Sequence, residues 1–191
     1  MLRGSVYPPE IRDISTAAQQ LLEQFVSVPT LSLADLYGGK ICAALDRQHP
    51  RDLFDIYQLL ENEGLTPEIR RAFVVYLASH DRPMSELLDP KFQDITKVYA
   101  AQFAGMPREP VPLAILLRTR ERLVALISHD LDADEKRFLL SMKQGEPDWV
   151  ALRLAHLKEL PALQWKLQNI QRMEKHKRER AFAKLQRLLD R

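Results

Sequence analysis

Over most of the chain the apolar residues recur every three or four positions, the spacing of helices that bury one face and solvate the other. The pattern begins at Ser32, which stands where a helix cap belongs, with Asp35 in the first turn. Leu33, Leu36, Tyr37, Ile41, Ala44 and Leu45 form the apolar stripe and predict a helix to about Arg47. Pro50 occupies a favourable first helical position, and Leu53, Ile56, Tyr57 and Leu60 carry a second helix to a stop at Gly64. Thr66-Pro67 opens a third, with Ile69, Phe73, Val74 and Leu77 facing inward. Further stripes predict helices over 83–88, 91–104, 113–128, 133–144, 147–157, 161–172 and 173–190, several started by prolines and two ended by Gly105 and Gly145.

The first thirty residues differ. Tyr7-Pro8-Pro9 favours extended backbone, after which Ala17, Leu21, Leu22 and Phe25 predict a short helix over 16–25. Phe25 to Val28, closed by Pro29, reads as a strand, and Leu2 to Tyr7 as a weaker one. The expected fold is therefore mainly α, a multi-helix bundle with at most a small β-sheet near the N-terminus. The three prolines within Met106 to Pro112 suggest a boundary, which divides the chain into 1–31, 32–105 and 106–191.

Composition narrows the class without naming a function. The 191 residues are 46% hydrophobic and 28% charged, with only 6 glycines, which excludes a disordered or collagen-like chain. No apolar run is long enough for a membrane helix, no secretory leader is legible, and the single Cys42 cannot make an internal disulfide, so a cytoplasmic protein is expected. The net charge of +2 conceals an uneven distribution: residues 166–191 hold nine Lys/Arg against three Asp/Glu, which leaves −4 for the rest. Such an end can follow a phosphate backbone, or it can be a solvated helix face.

Candidate chemistry concentrates between Leu31 and Tyr57. Gly38-Gly39 inside a helix costs about 1 kcal/mol per residue relative to alanine, so the pair implies close approach of another backbone or a ligand. Lys40 and Arg47, seven residues apart, share a helix face; on the next helix Arg51, Asp52 and Asp55 are spaced by three and four. Two readings fit this spacing. One is an interhelical salt-bridge network joining Lys40 and Arg47 to Asp52 and Asp55, and the other is a cationic face for a phosphate. Elsewhere, Asp130 to Glu135 lacks the glycine and distal glutamate of a calcium loop, and Asp132 with Glu135 reads as a helix capping box. The five histidines have no metal-ligand spacing, His49 reads as a turn residue, Cys42 as a buried inert thiol, and Trp149 and Trp165 as core anchors.

Lys40, Ala43, Arg47 and the Arg51-Asp52-x-x-Asp55 string, preceded by Val28-Pro29-Thr30-Leu31-Ser32, resemble the third motif of the abortive-infection nucleotidyltransferase toxins, the AbiEii/AbiGii family of type IV toxin–antitoxin systems. The resemblance is specific over 26–60 and more diffuse beyond. It implies transfer of a nucleotidyl group from a nucleoside triphosphate to an acceptor such as transfer RNA, with magnesium as cofactor and an antitoxin as partner. By that likeness Lys40 and Asp55 are the catalytic pair, Lys40 holding the triphosphate with Arg47 and Arg51, and Gly38, Gly39 and Asp52 give support. The family's metal-binding carboxylates have no counterpart, because Glu10, Asp13 and Glu23 do not form the expected pair after Gly4-Ser5. The chain then reads as the C-terminal part of such a toxin, with 1–31 the edge of its α/β core, inactive alone and able to dimerise through the edge strands. The alternative is a non-catalytic helical module that binds RNA or a protein partner.

Overall fold

A computed structural model describes residues 4–191. They form a two-stranded antiparallel sheet near the N-terminus and ten α-helices. Strand β1 (Glu10–Asp13) pairs with β2 (Ser27–Thr30), Glu10 opposite Thr30 and Asp13 opposite Ser27, and the connection carries α1 (Thr16–Leu22). Helices α2 (Leu33–Arg47), α3 (Pro50–Asn62), α4 (Pro67–Ser79), α5 (Met84–Leu88) and α6 (Thr96–Gln102) follow. After the proline-rich link come α7 (Leu113–Asp130), α8 (Ala133–Gln144), a 3-10 turn at Leu157–Glu159, α9 (Pro161–Gln171) and α10 (Lys175–Leu189).

Helix α4 is the centre of the bundle. Eight of its thirteen residues are buried, from Ile69 to Ala78, and it packs along α2 on one side and against α8 and α9 on others. A helix apolar on so much of its circumference must be covered all round. The buried residues form one hydrophobic cluster that runs from Val6 to Leu189.

Caps legible in the chain hold these helices. Ser32 Oγ accepts from the Asp35 amide at 3.0 Å, Thr66 Oγ1 from the Ile69 amide at 3.3 Å, and Asp132 and Glu135 close a reciprocal capping box on α8. A second device joins distant elements: Arg70 of α4 reaches Glu135 at 2.7 Å and Asp132 at 3.3 Å. Glu135 is almost wholly buried, so this pair braces α4 against the start of α8.

Several expectations are corrected. The strand expected over Leu2 to Tyr7 lies partly outside the described residues, at Leu2 and Arg3; from Gly4 to Tyr7 the backbone is irregular and bent. The reason is Asp35, whose carboxylate accepts from the Val6 amide at 2.7 Å and the Tyr7 amide at 2.8 Å and so takes the donors a sheet would need. Glu10 to Asp13 supplies the second strand instead. The helix expected over 91–104 starts only at Thr96, because the preceding backbone is fastened to other elements: Gln48 bonds the Lys91 carbonyl and the Gln93 amide, and Arg120 the Gln93 carbonyl. The helix expected over 147–157 is a set of turns, with the Asp148 amide donating to Ser141 Oγ and Arg153 in the left-handed region at φ 56°. Helix α1 ends at Leu22, and Trp165 is half exposed and so does not anchor the core.

Candidate functional site

The string singled out in the sequence falls on α2, the α2–α3 turn and the first half of α3. Gln48 ends α2 in the left-handed region at φ 51°, and His49 caps α3, its Nδ1 accepting from the Arg51 amide at 3.2 Å. This tight turn folds α3 back on α2, so that Lys40 Nζ meets Asp55 Oδ2 at 2.5 Å and Arg47 Nη2 meets Asp52 Oδ1 at 2.7 Å. The salt-bridge network inferred from spacing is present.

The same residues line an open cleft of about 510 Å³. Lys40, Arg47, Asp52 and Asp55 face it together with Gly39, and about a third of the Lys40 and Asp55 side chains remains exposed to solvent. An ion pair at such a depth is worth at most about 1 kcal/mol, so a polyanion can compete for its cation. Asp52 is asymmetric: one oxygen holds Arg47, while Oδ2 is buried with no hydrogen-bond partner.

Two of the sequence-designated residues sit apart from the cleft. Arg51 lines an adjoining recess with Arg47, His49 and Asp52, and its guanidinium donates to the Gln102 carbonyl at 3.4 Å. Gly38 faces the opposite way, into α4, where an added Cβ would come within 2.8 Å of the Phe73 amide nitrogen. The two glycines thus have different reasons. Gly38 admits another backbone, whereas at Gly39 no atom of another described element comes within 4 Å of the position a Cβ would take. Packing among the described residues does not account for glycine there, and its missing side chain widens the cleft beside Lys40.

Residues that spacing did not single out complete the wall. Asp35, read only as a first-turn acid, is buried and accepts from Tyr76 Oη at 2.5 Å and Ser32 Oγ at 2.8 Å besides the two amides of the N-terminal segment. Its position relative to Ser32 could be read from the chain; its pairing with Tyr76, forty-one residues on, could not. Burial, then the nearby Glu63 and Asp55 carboxylates, push the Tyr37 hydroxyl above its usual range, so it remains a neutral phenol at physiological pH.

The donor set does not suit a divalent cation. Among the described residues no group of three or more His, Cys, Asp or Glu side chains could hold a metal, and the cleft's Asp52 and Asp55 are each engaged by a cation. No helix among them is long and apolar enough to cross a membrane. Cys42 is buried against α4, with Sγ 4.0 Å from the Phe73 carbonyl oxygen.

Comparison with known families gives one match. The family model described as nucleotidyl transferase AbiEii toxin, type IV TA system, covers residues 1–169. No curated protein and no solved structure matches the chain.

Proposed function

Since this chain belongs to the AbiEii family of nucleotidyltransferase toxins from type IV toxin–antitoxin systems, we propose that the α2–α3 cleft is the phosphate-holding half of a nucleotide site. The observation that carries this reading is Gly39 beside Lys40: a helix-interior glycine on which none of the described residues packs, in the cleft that Lys40 and Arg47 line. An entering triphosphate takes the Lys40 ammonium from Asp55 and draws on Arg47 from the cleft's edge, with Arg51 a further cation in the adjoining recess. Asp55, released from Lys40, is then a free carboxylate positioned to accept the proton of an acceptor hydroxyl. The acceptor class that fits the family is RNA, transfer RNA in particular, and the expected protein partner is the antitoxin of the same system.

Because no group of three or more metal-ligating side chains stands among the described residues, the carboxylates that would hold magnesium during transfer would come from outside this cleft, and the chain alone is expected to bind a triphosphate without transferring it. Titration calorimetry with each of the four nucleoside triphosphates tests the first half. Binding in the wild type that is lost in Lys40→Gln supports the assignment, and equal binding by both proteins refutes it. Incubation with labelled triphosphates, magnesium and total transfer RNA tests the second. Product that vanishes in Lys40→Ala would make the chain a complete enzyme.

The unpaired outer edges of β1 and β2, with Ile11, Leu21 and Phe25 exposed around them, fit a second copy of the chain. Sedimentation velocity of the full chain against a variant lacking residues 1–28 reads this directly, and a monomer at all concentrations excludes it.

A further inference from the structure

Helix α10 lies beyond the stretch that the family model covers, so the shared fold does not account for its charge. Arg180, Lys184, Arg187 and Arg191 succeed one another at steps of four, three and four residues, which places them on one face, and Lys177 extends that row by a turn. The four line a groove of about 330 Å³, closed on its other side by Ser85 and Asp89 of the α5 end. Against these cations stands a single carboxylate of the groove, Asp89, 3.7 Å from Arg191. Arg180, Lys184 and Arg187 enter no ion pair among the described residues.

Ordinary helix physics explains the row only at its C-terminal end. Like charges three and four apart oppose helix formation, so each successive pair works against α10. The macrodipole accounts for Arg187 in the last turn, but not for Arg180 farther back or for Lys175, Lys177 and Arg178 at a start that carries no acidic residue in its first turn. Lys143 of α8 is buried, its pKa pushed down first by burial and then by Lys177 of α10.

We infer that the α5–α10 groove docks the sugar–phosphate backbone of a single nucleic-acid strand. Each helical turn, about 5.4 Å, presents a fresh cation, as a continuous polyanion requires. A lipid surface fits less well. An interfacial helix gives its apolar face to the membrane, whereas Leu185 and Leu189 of α10 are buried in this chain's own core. The contacts are to phosphate, so the strand is held without regard to base sequence. This groove shares no lining residue with the Lys40 cleft, and the inference stands whether or not that cleft binds nucleotide.

Fluorescence anisotropy of labelled 15-nucleotide oligouridylate and oligothymidylate against the full chain tests it, repeated over a series of salt concentrations. Four phosphate contacts predict a slope of log affinity against log salt of about −3. The triple variant Arg180→Gln/Lys184→Gln/Arg187→Gln should lower affinity at least tenfold and flatten the slope by about 2, with helical circular dichroism retained because all three side chains are exposed. A control, Arg12→Gln/Arg108→Gln/Arg153→Gln, removes the same charge elsewhere and should bind as the wild type. The inference fails if the groove variant binds undiminished, if both triple variants weaken binding equally, or if phosphatidylglycerol vesicles retain the chain while neither oligonucleotide binds.

Discussion

Two of the ion pairs that join separate helices have surroundings that give them opposite uses. Arg70 and Glu135 meet where Glu135 is 1% exposed, and every oxygen of Glu135 is engaged by the guanidinium or by the α8 cap. Lys40 and Asp55 meet at a similar distance on the wall of an open cleft, about a third exposed. Removing one member of a buried pair strands a charge that nothing can solvate, whereas water or an incoming anion readily replaces a member of the exposed one. The same chemistry is therefore a fixture in one place and an exchangeable contact in the other.

The widest separation between them is expected in stability. Arg70→Met should destabilise the fold by about 3–5 kcal/mol, and adding Glu135→Leu should recover much of the loss, because the pair can be replaced by packed apolar groups but not halved. Chemical denaturation of the single and double variants measures both. A loss below about 1 kcal/mol in the single variant would erase the distinction from the cleft pair.

The next effect contrasts the adjacent glycines. Gly38→Ala forces a methyl against the α4 backbone at 2.8 Å and is expected to cost about 1–3 kcal/mol, since two helices would have to separate to accept it. If Gly38→Ala is as stable as the wild type in thermal unfolding, the α2–α4 contact is looser than its geometry implies.

Lys40→Gln tests the exposed pair itself. It should change stability by less than about 1 kcal/mol, a Tm shift within about 4 °C, while triphosphate affinity falls at least tenfold. A large stability loss without a change in affinity would make Lys40–Asp55 a brace like Arg70–Glu135.

The smallest effect sharpens the comparison most. Gly39→Ala should stabilise α2 by up to about 1 kcal/mol, meeting no other element among the described residues, and yet weaken triphosphate binding several-fold by filling the cleft mouth. A variant more stable and equally good at binding would leave Gly39 without a ligand to explain it.

What could be read from the chain follows the same division. Helices whose caps and apolar stripes are local, such as α2, α3, α4 and α8, were legible to within a residue or two, because Ser32, Pro50, Thr66 and Asp132 determine their starts without distant help. The misread segments are those that remote side chains fasten. Gln48 and Arg120 hold 91–93 out of the helix, and Ser141 and Arg137 fasten Asp148 at the start of the following turns. Strand β1 reads Glu-Ile-Arg-Asp and is largely exposed, so it offers no hydrophobic alternation to detect. In the cleft, spacing brought Lys40, Arg47, Asp52 and Asp55 together, but could not reveal that Arg51 turns into the neighbouring recess, or that two consecutive glycines face different neighbours.

Asp35 carries one more consequence. Its two oxygens hold the Val6 and Tyr7 amides to α2 and α4, while the chain on either side of that attachment is loop and exposed ribbon. In hydrogen–deuterium exchange, these two amides should be released only when the α2–α4 pair itself opens, orders of magnitude later than the amides of α1, which buries no residue. The N-terminal arm is thus timed by the bundle rather than by its own hairpin, and the Asp35→Asn variant should let it exchange independently while α4 remains protected.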